Sequence, residues 1–411
     1  MRNFPPGAGR GKRNLKPYSN RLKNLPPYLF EAINVLKREA YARKQDVIDL
    51  GMGNPDMPTP GHIVDELCET IKTHPTTHRY PQAKGMPKLR NAVAGWYEKR
   101  YGVKINPESE VLVLLGSKEG IAHMSMTYID AGDVALVPNP TYLCHRNGVL
   151  IAGGQIHDMP LVEENGYIPD LNAVPADVAK KSKLMYISYP NNPTTAVLED
   201  TSFFKKVVEF AKKNDIIVCH DFAYSELVFD GYRAPSFMQV PGAKDVGVEF
   251  HSFSKTYCMP GWRLGFVVGN AEILRPVEKL KSYVDFGAFT AVQLAGVKAL
   301  TASQKCVDDI NAEYRRRRDR FVKDLNKSGW QVNLPKATMY LWARLPEGFR
   351  HMSSLEFCEL LILKTGIAIA PGSAFGSLGE GYVRMALVTH YNRFHDAVLR
   401  IKKFLVQERK G

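Results

Sequence analysis

The stretch HSFSKTYCMPGWRLGF, residues 251–266, places Lys255 after two serines, Ser252 and Ser254, and eight residues before Arg263. A lysine amine is a nucleophile only when unprotonated, and desolvation with nearby positive charge lowers its pKa toward that state. Hydroxyls and a guanidinium suit a phosphate dianion, because arginine can meet phosphate oxygens in a fork. Pro260 and Gly261 between them read as a turn that a regular helix would not choose.

Comparable groups follow other short apolar runs: Ser117 and Lys118 in LLGSKEG, Tyr142 in PNPTY, Asn192 in YPNNPT, Asp221 and Tyr224 in CHDFAYSE. The backbone amides of Gly116, Ser117 and Lys118 are expected at a helix start, where anions bind. A cofactor carrying a phosphate, a basic ring nitrogen and an aldehyde would use all of these groups, and pyridoxal 5'-phosphate is such a cofactor. In that reading Lys255 joins the aldehyde and later moves a proton, while Asp221 pairs with the ring nitrogen. Tyr224 and Asn192 hydrogen-bond the phenolic oxygen, and Tyr142 stacks on the ring. Singly, each residue has an ordinary use: an acid after a strand caps a helix, and Asn-Pro makes turns. Their conjunction at successive strand ends carries the reading.

The elements that must position them are seven apolar runs beginning at Glu110, Asp133, Gln155, Lys183, Asp215, Val248 and Arg263, separated by helical segments. Short β-branched runs ending in Gly, Asn, Pro, Ser or Asp are expected to be buried strands of a largely parallel sheet. Ligands bind beyond the carboxyl ends of such strands. The expected class is α/β: a large mostly parallel sheet domain with helices on both faces, over 62–300, and a smaller α+β domain over 301–411. Residues 25–61 supply a helix and strand to the smaller unit, and residues 1–24 form a basic flexible arm.

At 411 residues and 45% hydrophobic, the chain can bury a core larger than one ordinary domain. The net charge of +13 is spread among acids rather than massed, so no nucleic-acid partner is expected. The densest run, Arg315 to Arg318, reads as a solvated helix face near a domain junction. Six dispersed cysteines show no metal-ligand spacing, which fits free thiols in a reducing cytoplasm and no metal. No uncharged apolar run approaches the roughly 18 residues of a membrane span.

Ser-x-Ser-Lys with an arginine eight residues on, Asn-Pro before a helix, and Asp-x-x-Tyr together resemble the class I/II aminotransferases, fold type I of the pyridoxal-phosphate enzymes. The resemblance implies that Lys255 is the cofactor-linked lysine, with Ser252, Ser254 and Arg263 on the phosphate. It also implies a homodimer, in which Tyr80 of THRYPQAKG reaches the neighbouring subunit's phosphate. Gly53 lets substrate approach the backbone, Arg384 of YVRMAL clamps the substrate carboxylate, and Tyr28 lines the substrate entrance.

GSKEG, HDFAYSELVFDGYRAPS and PKATMYLWARLPE resemble the bacterial glutamate-pyruvate (alanine) aminotransferases, neighbours of the LL-diaminopimelate enzymes. The expected reaction moves an amino group from an L-amino acid to a 2-oxo acid by a ping-pong route, with alanine and 2-oxoglutarate leading. Diaminopimelate, aspartate or methionine transfer, or a β-lyase reaction, are the alternatives. Two departures stand out: Thr195 replaces the glycine of Asn-Pro-Thr-Gly, and Tyr283 takes the place of an asparagine that the diaminopimelate enzymes use.

Overall fold

The computed structural model describes residues 19–26 and 29–408. Residues 1–18 of the expected arm, and Tyr28, lie outside the described residues. The strands are β1 (Ile48–Asp49), β2 (Val111–Leu114), β3 (Val134–Asn139), β4 (Gln155–Pro160), β5 (Ser182–Ile187) and β6 (Ile217–Asp221). They continue with β7 (Gly247–Ser252), β8 (Gly265–Gly269), β9 (Tyr340–Arg344), β10 (Ile367–Ala368), β11 (Ala370–Pro371) and β12 (Tyr382–Ala386).

Seven strands pair in the order β2-β8-β7-β6-β5-β3-β4. β8 runs antiparallel to both neighbours, and the other pairings are parallel. Alternation sends side chains to two apolar cores. Val111, Val113, Met185 and Val218 meet Val93 and Phe204 on one face, while Leu112, Leu114, Leu184 and Cys219 meet Ile121 and Val149 on the other. Helices therefore cover both faces, and the strands read as continuous apolar runs because neither face is wet.

The reversed strand explains how distant residues converge. Because β8 enters the sheet where β2 and β7 leave it, the segment before β8 lies beside the carboxyl ends of both. Gly265 is in register with Leu114 and Ser252. A Cβ at Gly265 would lie 2.8 Å from the Ser117 amide nitrogen and 2.8 Å from the His251 carbonyl oxygen, so only glycine lets these backbones pack this closely.

β9, β11 and β12 form a three-stranded antiparallel sheet, and β1 pairs with β10 in parallel. Their shared core joins Ile48, Leu341, Val383 and Phe394 with Tyr224 and Phe229 from the chain around β6. The arginine run departs from a solvated face. Arg315 and Arg316 are exposed, whereas Arg317 and Arg318 are buried. Arg317 donates to Asp56 at 2.7 Å and to the Leu387 carbonyl at 2.9 Å, and Arg318 pairs with Asp230 at 2.8 Å. Buried guanidinium groups need such partners, and here Arg317 binds the long helix Lys305–Lys327 to the loop holding Asp56 while Arg318 binds it to Asp230. Among the described residues no helix is long and apolar enough to cross a membrane.

Candidate active site

Ser252 ends β7 in extended conformation and its hydroxyl accepts from the Ser254 amide, starting the turn Phe253–Thr256. That turn carries Lys255 inward, where Nζ donates to the Gly53 carbonyl at 2.8 Å. Burial drives the Lys255 amine below the ordinary lysine range, and Arg384 and Arg263 push the same way against Tyr340 and Cys258. Asp221 ends β6 and is buried. Its Oδ1 accepts from the Ala223 amide at 3.2 Å, and its Oδ2 is 3.1 Å from His145 Nε2.

Gly116 has φ +81 and precedes the helix Ser117–Tyr128. A Cβ there would lie 2.5 Å from Arg263 Nη2, and Arg263 donates to the Leu115 carbonyl at 3.1 Å and the Pro260 carbonyl at 2.9 Å. The helix start is further fixed by Glu119, which accepts from the Leu115 amide at 2.9 Å and from Lys281 Nζ at 3.2 Å. Amides at a helix terminus, exposed Arg263 and the hydroxyls of Ser252 and Ser254 thus share one end of the sheet.

Arg384 lies on β12, buried, with Nη1 donating to Asn192 Oδ1 at 2.9 Å and Nη2 to the Gly51 carbonyl at 3.0 Å. Its guanidinium carbon stands 4.0 Å from the Tyr340 ring centre and 4.6 Å from that of Phe375. Tyr224 donates to the Tyr340 hydroxyl at 2.9 Å. A Cβ at Gly53 would overlap that same hydroxyl, so glycine is required by Tyr340 itself. The structure therefore brings Lys255, Gly53, Tyr224, Asn192 and Arg384 together around Tyr340.

Other expected positions sit further out. Tyr142 is half-buried, with its ring edge-on to His145 at 6.0 Å. The Lys118 side chain is exposed while its carbonyl accepts from Cys144 Sγ at 3.3 Å. Tyr80 is 89% exposed, edge-on to Phe286 at 5.7 Å.

Two residues at the centre escaped the sequence reading. His145 lies in the first turn of the helix after β3, stacked on Tyr186 at 5.4 Å and with Nδ1 2.7 Å from Thr141 Oγ1. Its signal was its place three residues beyond Tyr142. Tyr340, inside an apolar strand run, gave none beyond its hydroxyl.

The donor set fits pyridoxal 5'-phosphate: a buried lysine whose pKa is lowered, a buried carboxylate held by His145, and a hydroxyl-guanidinium-amide cluster with no carboxylate among these donors. Comparison with known proteins points the same way. Residues 45–395 match the family model for aminotransferase class I and II. An LL-diaminopimelate aminotransferase of Syntrophobacter fumaroxidans is 51% identical over 94% of this chain and 98% of its own. The glutamate-pyruvate aminotransferase AlaC of Escherichia coli K12 is 47% identical over 93% of this chain and 92% of its own. The solved structure of substrate-bound BacF from Bacillus subtilis superposes with a TM-score of 0.90 at 38% identity, covering 95% of this chain and 98% of that one. The fold is thus that of the fold type I, pyridoxal-phosphate-dependent enzymes, and the chain belongs to the class I and II aminotransferases.

Proposed function

We propose that the chain transfers an amino group between L-alanine and 2-oxoglutarate, giving pyruvate and glutamate. One observation supports an α-amino acid substrate above others. Lys255 and Arg384 engage the carbonyls of Gly53 and Gly51, two residues apart in one loop. The amine and the carboxylate clamp are thus anchored on carbonyls at most about 7 Å apart, the reach of two residues, so one small molecule carrying an amino group and a carboxylate can address both.

Bound pyridoxal 5'-phosphate supplies an aldehyde that takes up the amino group and a ring that accepts the electron pair left at the α-carbon. Lys255, whose pKa burial lowers, takes the α-proton and returns it. Asp221, oriented by His145 and the Ala223 amide, holds a proton on the ring nitrogen. Asn192 spends Oδ1 on Arg384, so its Nδ2 donors and the Tyr224 hydroxyl serve the phenolic oxygen. Ser252, Ser254, Arg263 and the Gly116–Ser117–Lys118 amides hold the phosphate, Tyr142 covers the ring, and Arg384 binds the substrate carboxylate. In this reading the site lies where a large unit of 62–300 meets a smaller one of 301–411 with 25–61.

A second copy of the chain completes the reading. Tyr80 and Tyr283 are 89% and 83% exposed, with Val284 and Phe286 also bare. Such clustered apolar exposure favours an interface, and a homodimer would let Tyr80 reach the partner's phosphate. A monomer at micromolar concentration in sedimentation would remove this part.

LL-diaminopimelate as donor is the second reading, favoured by the name of the 51% identical relative. Steady-state kcat/KM with L-alanine and with LL-diaminopimelate, each against 2-oxoglutarate, separates the two. Alanine leading by tenfold supports the proposal, whereas diaminopimelate leading transfers the assignment to the second reading.

A further inference from the structure

Tyr340 stands where four titratable or charged groups from four segments meet. Tyr224 comes from the turn after β6, Lys255 from the turn after β7, Arg384 from β12 and Tyr314 from the helix Lys305–Lys327. Its hydroxyl accepts the Tyr224 proton at 2.9 Å, and its ring carries the Arg384 guanidinium at 4.0 Å. Gly53 packs so closely against this hydroxyl that a Cβ there would overlap it. Only 2% of Tyr340 is exposed, so water does not compete for these contacts.

We infer that Tyr340 is a positioning residue with two separable parts: its hydroxyl competes with the cofactor's phenolic oxygen for the Tyr224 proton, and its ring holds Arg384 ready for a carboxylate. The inference rests on the cofactor site proposed above. The Tyr224 hydroxyl has one proton and can donate it to one acceptor at a time. Whatever share goes to Tyr340 is withdrawn from the phenolic oxygen. The direction of the bond is given by the geometry, in which the Tyr224 hydroxyl donates to that of Tyr340. Burial and the neighbouring Tyr340 push Tyr224 well above the ordinary tyrosine range, so it keeps its proton. Asp221 also bears on Tyr224, and it favours the protonated form.

Removing the competitor has a defined sign. A stronger donor at the phenolic oxygen stabilises its anionic form and lowers the pH at which the cofactor absorbance of the holoenzyme changes. The ring, by contrast, acts on the carboxylate clamp and not on this proton.

The test titrates the absorbance of the holoenzyme with pH, without substrate, for wild type, Tyr340→Phe and Tyr340→Leu, and measures KM and kcat for the amino donor. Tyr340→Phe keeps the ring, so its midpoint should fall by about half a unit to one unit while KM changes less than about threefold. Tyr340→Leu loses the ring face and should raise KM about tenfold or more, with kcat less affected. A midpoint that stays in place or rises in Tyr340→Phe overturns the hydroxyl part, and an unchanged KM in Tyr340→Leu overturns the ring part. A Lys255→Ala holoenzyme that keeps the wild-type band would instead overturn the cofactor site, so the two failures are distinguishable.

Discussion

Lys255 Nζ donates to the Gly53 carbonyl at 2.8 Å, across 202 residues of sequence. The bond fixes the amine against a backbone acceptor while burial, aided by Arg384 and Arg263, lowers its pKa. A lowered pKa means that the neutral amine is present at lower pH than for a free lysine, near 10.4. The rate at which apo-protein takes up pyridoxal phosphate should therefore rise with pH through a midpoint below that value. Stopped-flow absorbance across pH 6–11 reads it, and a midpoint at about 10.4 would contradict the burial argument.

Arg384 binds Asn192 and Gly51 through two different nitrogens, with its guanidinium carbon 4.0 Å from the Tyr340 ring centre and 4.6 Å from that of Phe375. Lysine can reproduce the charge but neither the fork nor the stacking. Arg384→Lys is expected to raise KM for the amino donor by roughly 10- to 150-fold, the equivalent of about 1.5–3 kcal/mol for a charged hydrogen bond, with a smaller loss in kcat. Equal KM values would remove Arg384 from carboxylate binding.

Much of this site was legible because the family of strand ends is written in local signals. Ser252, Asp221 and Arg263 each follow or precede an apolar run, and the sheet assembles what the runs announce. What sequence could not supply was the convergence of distant segments. Tyr340 sits on β9, far from β6, and only the pairing of hydroxyls with Tyr224 reveals that it shares the site. The burial of Arg317 was hidden for the same reason, since its partner Asp56 lies 261 residues away. A charge run read locally looks solvated.

Glu249 lies within β7. Its carboxylate is fully buried and accepts from His220 at 2.8 Å, the Ser236 hydroxyl at 2.7 Å and the Phe237 amide at 2.6 Å. Burial alone would raise its pKa, but bonds and charge from His220 and His251 hold it far below the ordinary carboxylate range. A depressed folded pKa contributes stability above the unfolded value of about 4.3, and that contribution is lost as pH falls below it. Glu249→Gln should cost about 1–3 kcal/mol at pH 7, and the gap to wild type should narrow toward pH 3. Urea unfolding at the two pH values measures it, and a gap constant with pH would mean that the charge contributes nothing.

Thr195 occupies the position where related turns have glycine, and its φ of +62 lies in the left-handed region. A β-branched side chain there costs about 1–2 kcal/mol in local strain. The turn is held by backbone bonds instead, Thr195 N to Asn191 O at 3.0 Å and Asn191 N to Ala196 O at 2.9 Å. Thr195→Gly relieves the strain but loosens the unfolded chain by about 0.5–1 kcal/mol. The net expectation is a gain of about 0.5–1 kcal/mol in urea unfolding. Asn192, fixed by Arg384 and by this turn, should keep its place, so KM for the amino donor should not move. A loss of stability would show that the threonine makes a contact worth more than its strain.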